Sequence, residues 1–353
     1  MAILHVPAPA GGPPPAIHPD WRRLEGSAVA FLDRWELYAD AVQRERLART
    51  GIGRVTALIY PYGPYELLRI GADFMAWAFA FDDEYCDEGP LSTRPGEFIR
   101  TVARMQRAVE CPEASFAHED RYARSLVDLR ARLAAFAPPS HVGRFVEGVR
   151  TYLMVEMWKA VDLRPSLEDA VAMRLFSGGG WVFPVLAHVM SGSALSQDAF
   201  EDRRLRALGE MVACVCNWDN EIASFGKELA RSPGRDHNLV SVIAREQGCS
   251  PQEAVSRLAG MRHRVLRLFL RLRTSVLTDA PPPVAAYVEG LARYCRGCLE
   301  WTPSNDRYSS VDGLGGDATF TAEPIDDTAS PEASHAPLDI PSIAWWWRYD
   351  PAR

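Results

Sequence analysis

Residues 82–88 read DDEYCDE and directly follow the unbroken apolar run FMAWAFAF at 74–81. On a helix Asp83 and Asp87 share a face, and Asp82 is rotated from Asp83 by about 100°. The pattern predicts a buried helix that emerges into a polar mouth rimmed by carboxylates. Like charges this close repel one another, and a bound cation relieves the repulsion. Taken alone, the run is equally typical of a solvated acidic helix end.

A second polar cluster makes the metal interpretation stronger. Asn220, Ser224 and Glu228 recur at intervals of four after another apolar run, MVACVC at 211–216, with Lys227 beside them. On a helix these three side chains form one stripe that offers an amide oxygen, a hydroxyl and a carboxylate. Oxygen ligands suit Mg²⁺, which commonly binds through a few carboxylates plus the phosphates of a substrate. Together the two clusters indicate magnesium and diphosphate chemistry.

Composition sets the broad class. The chain has 353 residues, 47% of them hydrophobic, and 46 acidic against 39 basic residues give a net charge of −7. Such a chain has no general positive field for nucleic acid. Apolar residues recur at three- and four-residue spacing from Trp21 to about Leu299, with no convincing strand. We expect an all-α fold of about ten helices in one domain.

Three regions are predicted along the chain. Residues 1–20 contain six prolines and predict a mobile leader, residues 21–310 form the catalytic domain, and residues 311–353 form a low-complexity tail. The tail ends in Trp345, Trp346 and Trp347, which could dock on the domain, meet another chain or stay exposed.

The cysteines and the apolar runs bear on location. The seven cysteines do not form a disulfide framework, and the C-x-x-C pair Cys295 and Cys298 lies in a helical pattern that disfavours a zinc or redox role. With no secretory signal and no apolar run of about 18 residues, we expect a cytoplasmic protein without a membrane span.

The clusters resemble the motifs of a known family, the bacterial class I terpene synthases. Residues 82–87 are similar to its D-D-x-x-x-D motif, and residues 220–228, NEIASFGKE, match its N-[DE]-x-x-S-x-x-K-E motif. Arg307-Tyr308 fits the family's Arg-Tyr pair, and Arg174 stands 46 residues before Asn220, where the family has a diphosphate-sensing arginine. The later pair Arg348-Tyr349 has a less suitable spacing.

The resemblance implies a single-domain bundle around a central apolar cavity and three Mg²⁺ ions. Asp82 and Asp87 would hold two ions, with Asp83 among the acids of that site and pairing with the closing arginine. The third ion would be held by Asn220, Ser224 and Glu228. Donors to the diphosphate would be Arg174, Lys227, Arg307 and Tyr308.

Two residues after Arg174 are expected to help trigger ionisation. Ser177 and Gly178 fall where the family has a linker and an effector carbonyl directed at the substrate. Serine departs from the usual acidic or threonine linker. The glycines at 178–180 would break a helix and free carbonyl groups, although a plain loop is the alternative.

Aromatic side chains near these motifs are candidates for the cavity wall, where their faces would stabilise carbocations. Each is also compatible with an ordinary place in the core. The candidates are Trp77, Phe81, Phe176, Trp181, Phe183 and Trp301.

The resemblance favours one substrate class but leaves others open. The box around Tyr85 and Cys86, with the proline-rich leader, is most similar to the 2-methylisoborneol synthase group. That implies geranyl or 2-methylgeranyl diphosphate and a bornane-type product. The alternatives are a sesquiterpene synthase that uses farnesyl diphosphate, a chain-elongating prenyltransferase, and a non-catalytic metal-binding protein. The oligomeric state stays open, with a homodimer as the assembly considered.

Overall fold

The computed structural model describes residues 2–7, 13–114, 119–190, 195–231, 236–302, 305–310, 312–315, 320–325 and 335–352. Within these ranges the chain is helical almost throughout. The α-helices are α1 (Trp21–Trp35), α2 (Ala41–Arg49), α3 (Ile52–Ile59), α4 (Tyr65–Phe81), α5 (Pro95–Glu110), α6 (Arg121–Ala134), α7 (Pro139–Val161), α8 (Leu167–Arg174), α9 (Val182–Met190), α10 (Gln197–Glu201), α11 (Arg203–Arg231), α12 (Leu239–Gln247), α13 (Pro251–Leu277), α14 (Pro282–Trp301), α15 (Asp306–Ser309) and α16 (Pro341–Ala344).

The expectation of an all-α single domain is confirmed, with more helices in the described residues than the ten expected. Some helices are only four or five residues long, and others arise where a turn divides one apolar pattern. For example, Gly248 adopts the left-handed conformation at the end of α12, and Ser250 caps α13 in a capping box with Glu253.

Two short strands, one near the start of the chain and one after α15, pair with each other, which the sequence pattern did not predict. Strand β1 (Ala2–Pro7) runs parallel to β2 (Phe320–Ile325), in a register that aligns Ala2 with Phe320 and Pro7 with Ile325. The pair therefore connects the predicted leader to the predicted tail. Residues 8–12 and most of 316–334 lie outside the described residues.

Helix α4 is the centre of the bundle. It packs against α1, α3 and α6, while α11 packs against α13 and α14. A central cavity lies between the ends of these helices, lined from α3, α4, α9, α11 and α14. Both predicted metal clusters lie at the rim of this cavity.

The tryptophan-rich end of the chain docks on the domain. Trp346 and Trp347 are fully buried, and the indole N–H of Trp346 donates to Glu210 on α11 at 2.9 Å. Arg271 on α13 adds a bidentate ion pair with Asp350 at 2.9 and 2.6 Å. Of the three arrangements considered for these tryptophans, docking is the one observed.

Among the described helices, none is by itself long and apolar enough to cross a membrane. One bent pair, Leu167–Arg174 followed by Ser177–Met190, satisfies length and composition together, with 56° between its parts.

Candidate metal and diphosphate site

The acidic motif forms a wide helical turn at the end of α4. Residues Asp82–Asp87 adopt a π-helical turn that continues directly from Phe81. This turn brings one carboxylate oxygen each from Asp82, Asp83 and Asp87 within 4.8 Å of one another. π-Turns inside α-helices are frequent at functional sites. The sequence spacing anticipated a shared face but not the π geometry.

Electrostatic repulsion is strong in this cluster. Burial, followed by the nearby charge of Asp82, raises the pKa of Asp87 to about 8. Burial also raises the pKa of Asp82, against the attraction of Lys159. Two acids that resist ionisation in a small volume are what a divalent cation stabilises in the charged form.

Asp83 is held differently from its neighbours. Burial alone would raise its pKa, but the Arg307 guanidinium holds the pKa of Asp83 at about 2. The two side chains form a bidentate pair at 2.9 and 2.7 Å. Arg307 lies on α15 and lines the cavity, and its guanidinium also lies 4.6 Å from the ring centre of Phe79. The second Arg-Tyr pair, with Arg348 exposed on the docked tail, lies away from this rim.

Arg174, Asn220 and Tyr308 form one chain of hydrogen bonds. Arg174 Nη2 donates to Asn220 Oδ1 at 2.6 Å, and Asn220 Nδ2 donates to the Tyr308 hydroxyl at 2.7 Å. Arg174 Nη1 also donates to Ser177 Oγ at 3.0 Å. The structure thus brings three of the sequence-predicted segments into direct contact at the rim.

The second metal motif faces the cavity from α11. The Asn238 Nδ2 amide donates to Glu228 Oε2 at 3.1 Å, and Ser224 is buried one helical turn before Glu228. Burial opposes ionisation of Glu228, but the nearby Lys227 and the hydrogen bond from Asn238 keep its pKa below the usual value. Burial, with the nearby Arg307, lowers the pKa of Lys227.

The motif's second residue was missing from the predicted ligand set. Glu221 is buried, forms an ion pair with Arg174 at 2.6 Å and accepts from the Leu239 backbone N–H at 2.6 Å. It therefore positions the sensing arginine and the start of α12. The [DE] position in the family's motif was a usable signal for this residue.

The triple glycine breaks the helix after α8. Gly178 and Gly179 have φ of 61° and 74°, in the left-handed region that favours glycine. The Gly178 N–H donates to Glu156 Oε1 at 3.2 Å, and Gly178 lines the cavity. Ser177 is buried beside Arg174. This arrangement is compatible with the expected roles of linker and effector, which remain proposals.

The inner cavity has a volume of about 120 Å³, and it opens into an outer cleft of about 430 Å³. The shared lining of both includes Asp82, Asp87, Arg174, Asn220 and Glu228. The inner wall is largely apolar; its residues include Val55, Met75, Ala78, Phe79, Phe183, Cys216, Tyr294, Cys298 and Trp301.

Of the six candidate aromatics, Phe183 and Trp301 line the inner cavity. Trp77 and Phe81 instead stack on each other in the core at 4.9 Å, and Trp77 donates to the Tyr122 carbonyl. The reason is helical phase: Met75, Ala78 and Phe79 occupy the cavity face of α4, so Trp77 and Phe81 point away.

The other two candidates, Trp181 and Phe176, follow α8 in the chain. The guanidinium carbon of Arg206 lies over the Trp181 ring, 3.9 Å from the ring centre. Phe176 lines a separate cleft with Trp345 of the docked tail. Neither ring is among the lining residues of the inner cavity.

Several residues of the inner cavity wall belong to no sequence motif and were therefore not predicted. Phe79 and Tyr294 lie on the wall, and the Cys216 thiol contacts those of Cys295 and Cys298 at its edge. None of the seven cysteines, all of which lie in the described residues, forms a disulfide. Their positions follow from the packing of α11 on α14, which spacing along the sequence does not encode.

The residues present fit a magnesium–diphosphate group. Converging carboxylates, an amide and a hydroxyl are hard oxygen donors, and burial together with the nearby Asp82 raises the pKa of Asp87, which a bound cation would reverse. Asp82 and Asp87 would hold metal on one side, and Asn220, Ser224 and Glu228 on the other. The number of ions remains a proposal.

Comparison with known proteins identifies the family. Residues 73–267 match the profile described as "Terpene synthase family 2, C-terminal metal binding". The chain belongs to the class I terpene synthases. It is 36% identical to (+)-(1(10)E,4E,6S,7R)-germacradien-6-ol synthase of Streptomyces pratensis, over 98% of this chain and 95% of the relative. It is 29% identical to a 4-epi-cubebol synthase of Streptosporangium roseum named as cyclising (2E,6E)-farnesyl diphosphate, over 84% of this chain and 90% of that relative.

Solved structures agree with the family. The crystal structure of SVS_A2, a protein from ancestral sequence reconstruction, superposes with a TM-score of 0.82 at 30% identity, covering 99% of this chain and 98% of that one. Hedycaryol synthase in complex with HEPES, at 22% identity and a TM-score of 0.71 over 85% of this chain and 99% of that one, shares the fold.

The chain is therefore an enzyme of the terpene synthase class with a metal-binding domain. The finer resemblance to the 2-methylisoborneol synthase group is not supported, because none of the relatives named here carries that name. Two residues, Tyr85 and Cys86, carried most of that likeness. In the structure Tyr85 donates to Asp120, and Cys86 is buried and is not among the lining residues of the inner cavity.

Proposed function

We propose that this terpene synthase ionises and cyclises (2E,6E)-farnesyl diphosphate with three Mg²⁺ ions and releases inorganic diphosphate. The main support is the chain of hydrogen bonds from Arg174 through Asn220 to Tyr308. It places two groups that can donate to a diphosphate in contact with the metal motif on α11, at the rim of a largely apolar cavity. Named relatives that cyclise farnesyl diphosphate support this chain length over a C10 or C11 substrate.

The diphosphate is bound at the rim by fixed positive groups. Arg174 and Arg307 present guanidinium forks that suit phosphate oxygens, with Lys227 and the Tyr308 hydroxyl as further donors. When bound, Mg²⁺ supplies Lewis-acid stabilisation of the negative charge that develops on the leaving group. Asp83 keeps Arg307 oriented towards this charge through its bidentate pair.

The wall then controls the carbocation. Phe79, Phe183 and Trp301 line the inner cavity, where their rings can stabilise positive charge. The Gly178 carbonyl region adds the negative end of a peptide dipole close to where the allylic cation forms. The Arg307-Tyr308 segment separates this space from solvent, which prevents early capture of the cation by water.

Incubation of the purified protein with Mg²⁺ and, separately, C10, 2-methylated C11, C15 and C20 diphosphates tests the proposal by gas chromatography and mass spectrometry. A cyclic C15 product formed in preference to all others is the expected outcome. Turnover confined to the C10 or C11 substrate would overturn the chain length. A longer linear diphosphate would indicate a prenyltransferase, and absence of turnover a non-catalytic metal-binding protein.

A further inference from the structure

Lys159 occupies a position that neither metal motif explains. It lies near the end of α7, and its ammonium is 2.8 Å from Glu156 Oε2. The Glu156 side chain is fully buried and also accepts from the Gly178 N–H. Lys159 lines the outer cleft together with Asp82, Asp87 and Glu228. A lysine thus enters the metal site from a third helix.

The charged groups that act on Lys159 are mainly carboxylates. Its ammonium faces Glu156 on its own helix and Asp82 and Asp87 on the acidic turn, and these attractions outweigh burial, so its pKa is raised. Glu156, which Lys159 contacts, has a carboxylate oxygen within 4.8 Å of one from Asp82, so Lys159 is held beside the acidic turn. Arg307 instead pairs with Asp83. Lys159 is therefore a second counter-charge next to the ion-free acidic cluster, on the side of Asp82.

A tethered ammonium there has two opposite effects on ligands. It competes with a divalent cation for Asp82, Asp87 and Glu156, because two cations near the same carboxylates repel each other. It also attracts a diphosphate that enters the same cleft, as lysine ammonium groups commonly do. The flexible four-carbon stem of lysine allows it to change partner without movement of the helix.

We propose that Lys159 is an internal counter-cation: it neutralises the acidic cluster when no ion is bound, and it turns to the diphosphate when Mg²⁺ takes over those carboxylates. This inference rests on the proposed function of the site. Its consequence is thermodynamic coupling, in which Mg²⁺ alone binds weakly and diphosphate strengthens Mg²⁺ binding. By reciprocity, Mg²⁺ strengthens diphosphate binding by the same factor. Metal loading is thereby linked to arrival of the substrate head group.

Isothermal titration calorimetry with Mg²⁺, in the absence and presence of inorganic diphosphate, tests the coupling. For Lys159→Met we expect Mg²⁺ alone to bind about tenfold more tightly than to the native protein, which is a change of about 1.4 kcal/mol. The strengthening by diphosphate should shrink in the same variant. Lys159→Arg should keep the native pattern, because it retains the positive charge.

Arg150→Met is the matched control. Arg150 is on the same helix and also pairs with a carboxylate, Glu110 at 2.5 Å, but on the outer face. Its removal should leave both titrations unchanged. Lys159→Gln provides a second neutral variant that can still hydrogen-bond to Glu156, and circular dichroism of each variant reports its fold.

The outcomes separate this inference from the proposed function. Unchanged or weaker Mg²⁺ binding in a folded Lys159→Met or Lys159→Gln protein would overturn the role of Lys159, whatever the enzyme's turnover. A different result would be tighter Mg²⁺ binding in these variants combined with a native protein that cyclises no isoprenyl diphosphate. It would support the role of Lys159 as a counter-cation and contradict the proposed terpene cyclisation.

Discussion

Asp83 and Arg307, which are 224 residues apart in the chain, form a buried bidentate ion pair at the rim of the cavity. One partner belongs to the acidic turn after α4, and the other to the short helix α15, whose Arg307 and Tyr308 line the cavity. The pair therefore ties α15 to the acidic turn. Asp82 and Asp87, on the same turn, do not take part in this pair.

Removing Asp83 should lower the free energy of unfolding more than removing Arg307. Asp83→Ala leaves a buried guanidinium uncompensated, which costs roughly 3–5 kcal/mol in comparable buried pairs. Arg307→Ala should cost less, because Lys227 and Arg46 also act on Asp83. Urea unfolding of both single variants and the double variant measures this difference. Equal losses that add fully in the double variant would contradict an energetic coupling between the two side chains.

The metal motifs should be essential for turnover and dispensable for folding. Asp82→Ala and Asn220→Ala should each abolish product formation while the circular dichroism spectrum stays native, because both side chains lie at the rim and outside the core. Asp198→Ala, an exposed acid on α10, is the matched control and should retain full activity. Full activity in either rim variant would refute its assignment to the site.

The ion-free protein should lose stability as the pH rises. Asp87 has a folded pKa of about 8, above its ordinary value of about 3.9. Its contribution is therefore fully present below the ordinary value and is lost as the pH rises through 8. We expect the free energy of unfolding without metal to fall by at least about 1 kcal/mol between roughly pH 5 and pH 9.

Mg²⁺ with inorganic diphosphate should flatten this dependence, since the bound cations stabilise the ionised carboxylates. Chemical unfolding followed at several pH values, with and without these ligands, measures both effects. An increase in metal-free stability over the same interval would show that Asp87 is not protonated at neutral pH.

The left-handed backbone at Gly178 should be needed for catalysis. A Cβ at this position would lie 3.1 Å from Arg174 Nη1, and alanine at φ of 61° is strained by about 1 kcal/mol or more. Gly178→Ala should therefore lower kcat by at least about tenfold through displacement of Arg174. Gly260→Ala, in the open middle of α13, should instead leave kcat unchanged and slightly raise stability. Identical kcat values in the two variants would contradict the role of Gly178.

Substitutions in α4 should distinguish wall from core. Phe79→Leu alters the cavity wall and should change the distribution of cyclic products, with little loss of stability because this side chain is half-buried. Trp77→Phe should lower stability by about 1–3 kcal/mol, through lost packing and the lost bond to Tyr122, and should leave the product distribution intact. Gas chromatography and thermal unfolding measure the two effects. Altered products in Trp77→Phe, with unchanged products in Phe79→Leu, would contradict the assignment of Phe79 to the wall and Trp77 to the core.

Local spacing is enough to predict the helical fold and the shared helix face of each motif. The intervals of four at Asn220, Ser224 and Glu228 place these residues on one side of α11, whatever the rest of the chain does. The same logic fails for Trp77 and Phe81, since a run that is apolar on every side has no periodicity to reveal which face meets the cavity. Lys159 could not be predicted either, because its neighbours come from distant parts of the chain.

Anomalous diffraction from crystals grown with Mn²⁺ and inorganic diphosphate tests the central claim most directly. The account predicts three metal peaks around one diphosphate, two beside Asp82 and Asp87 and one beside Asn220, Ser224 and Glu228. Metal peaks elsewhere on the surface, or none at this rim with diphosphate bound, would contradict it.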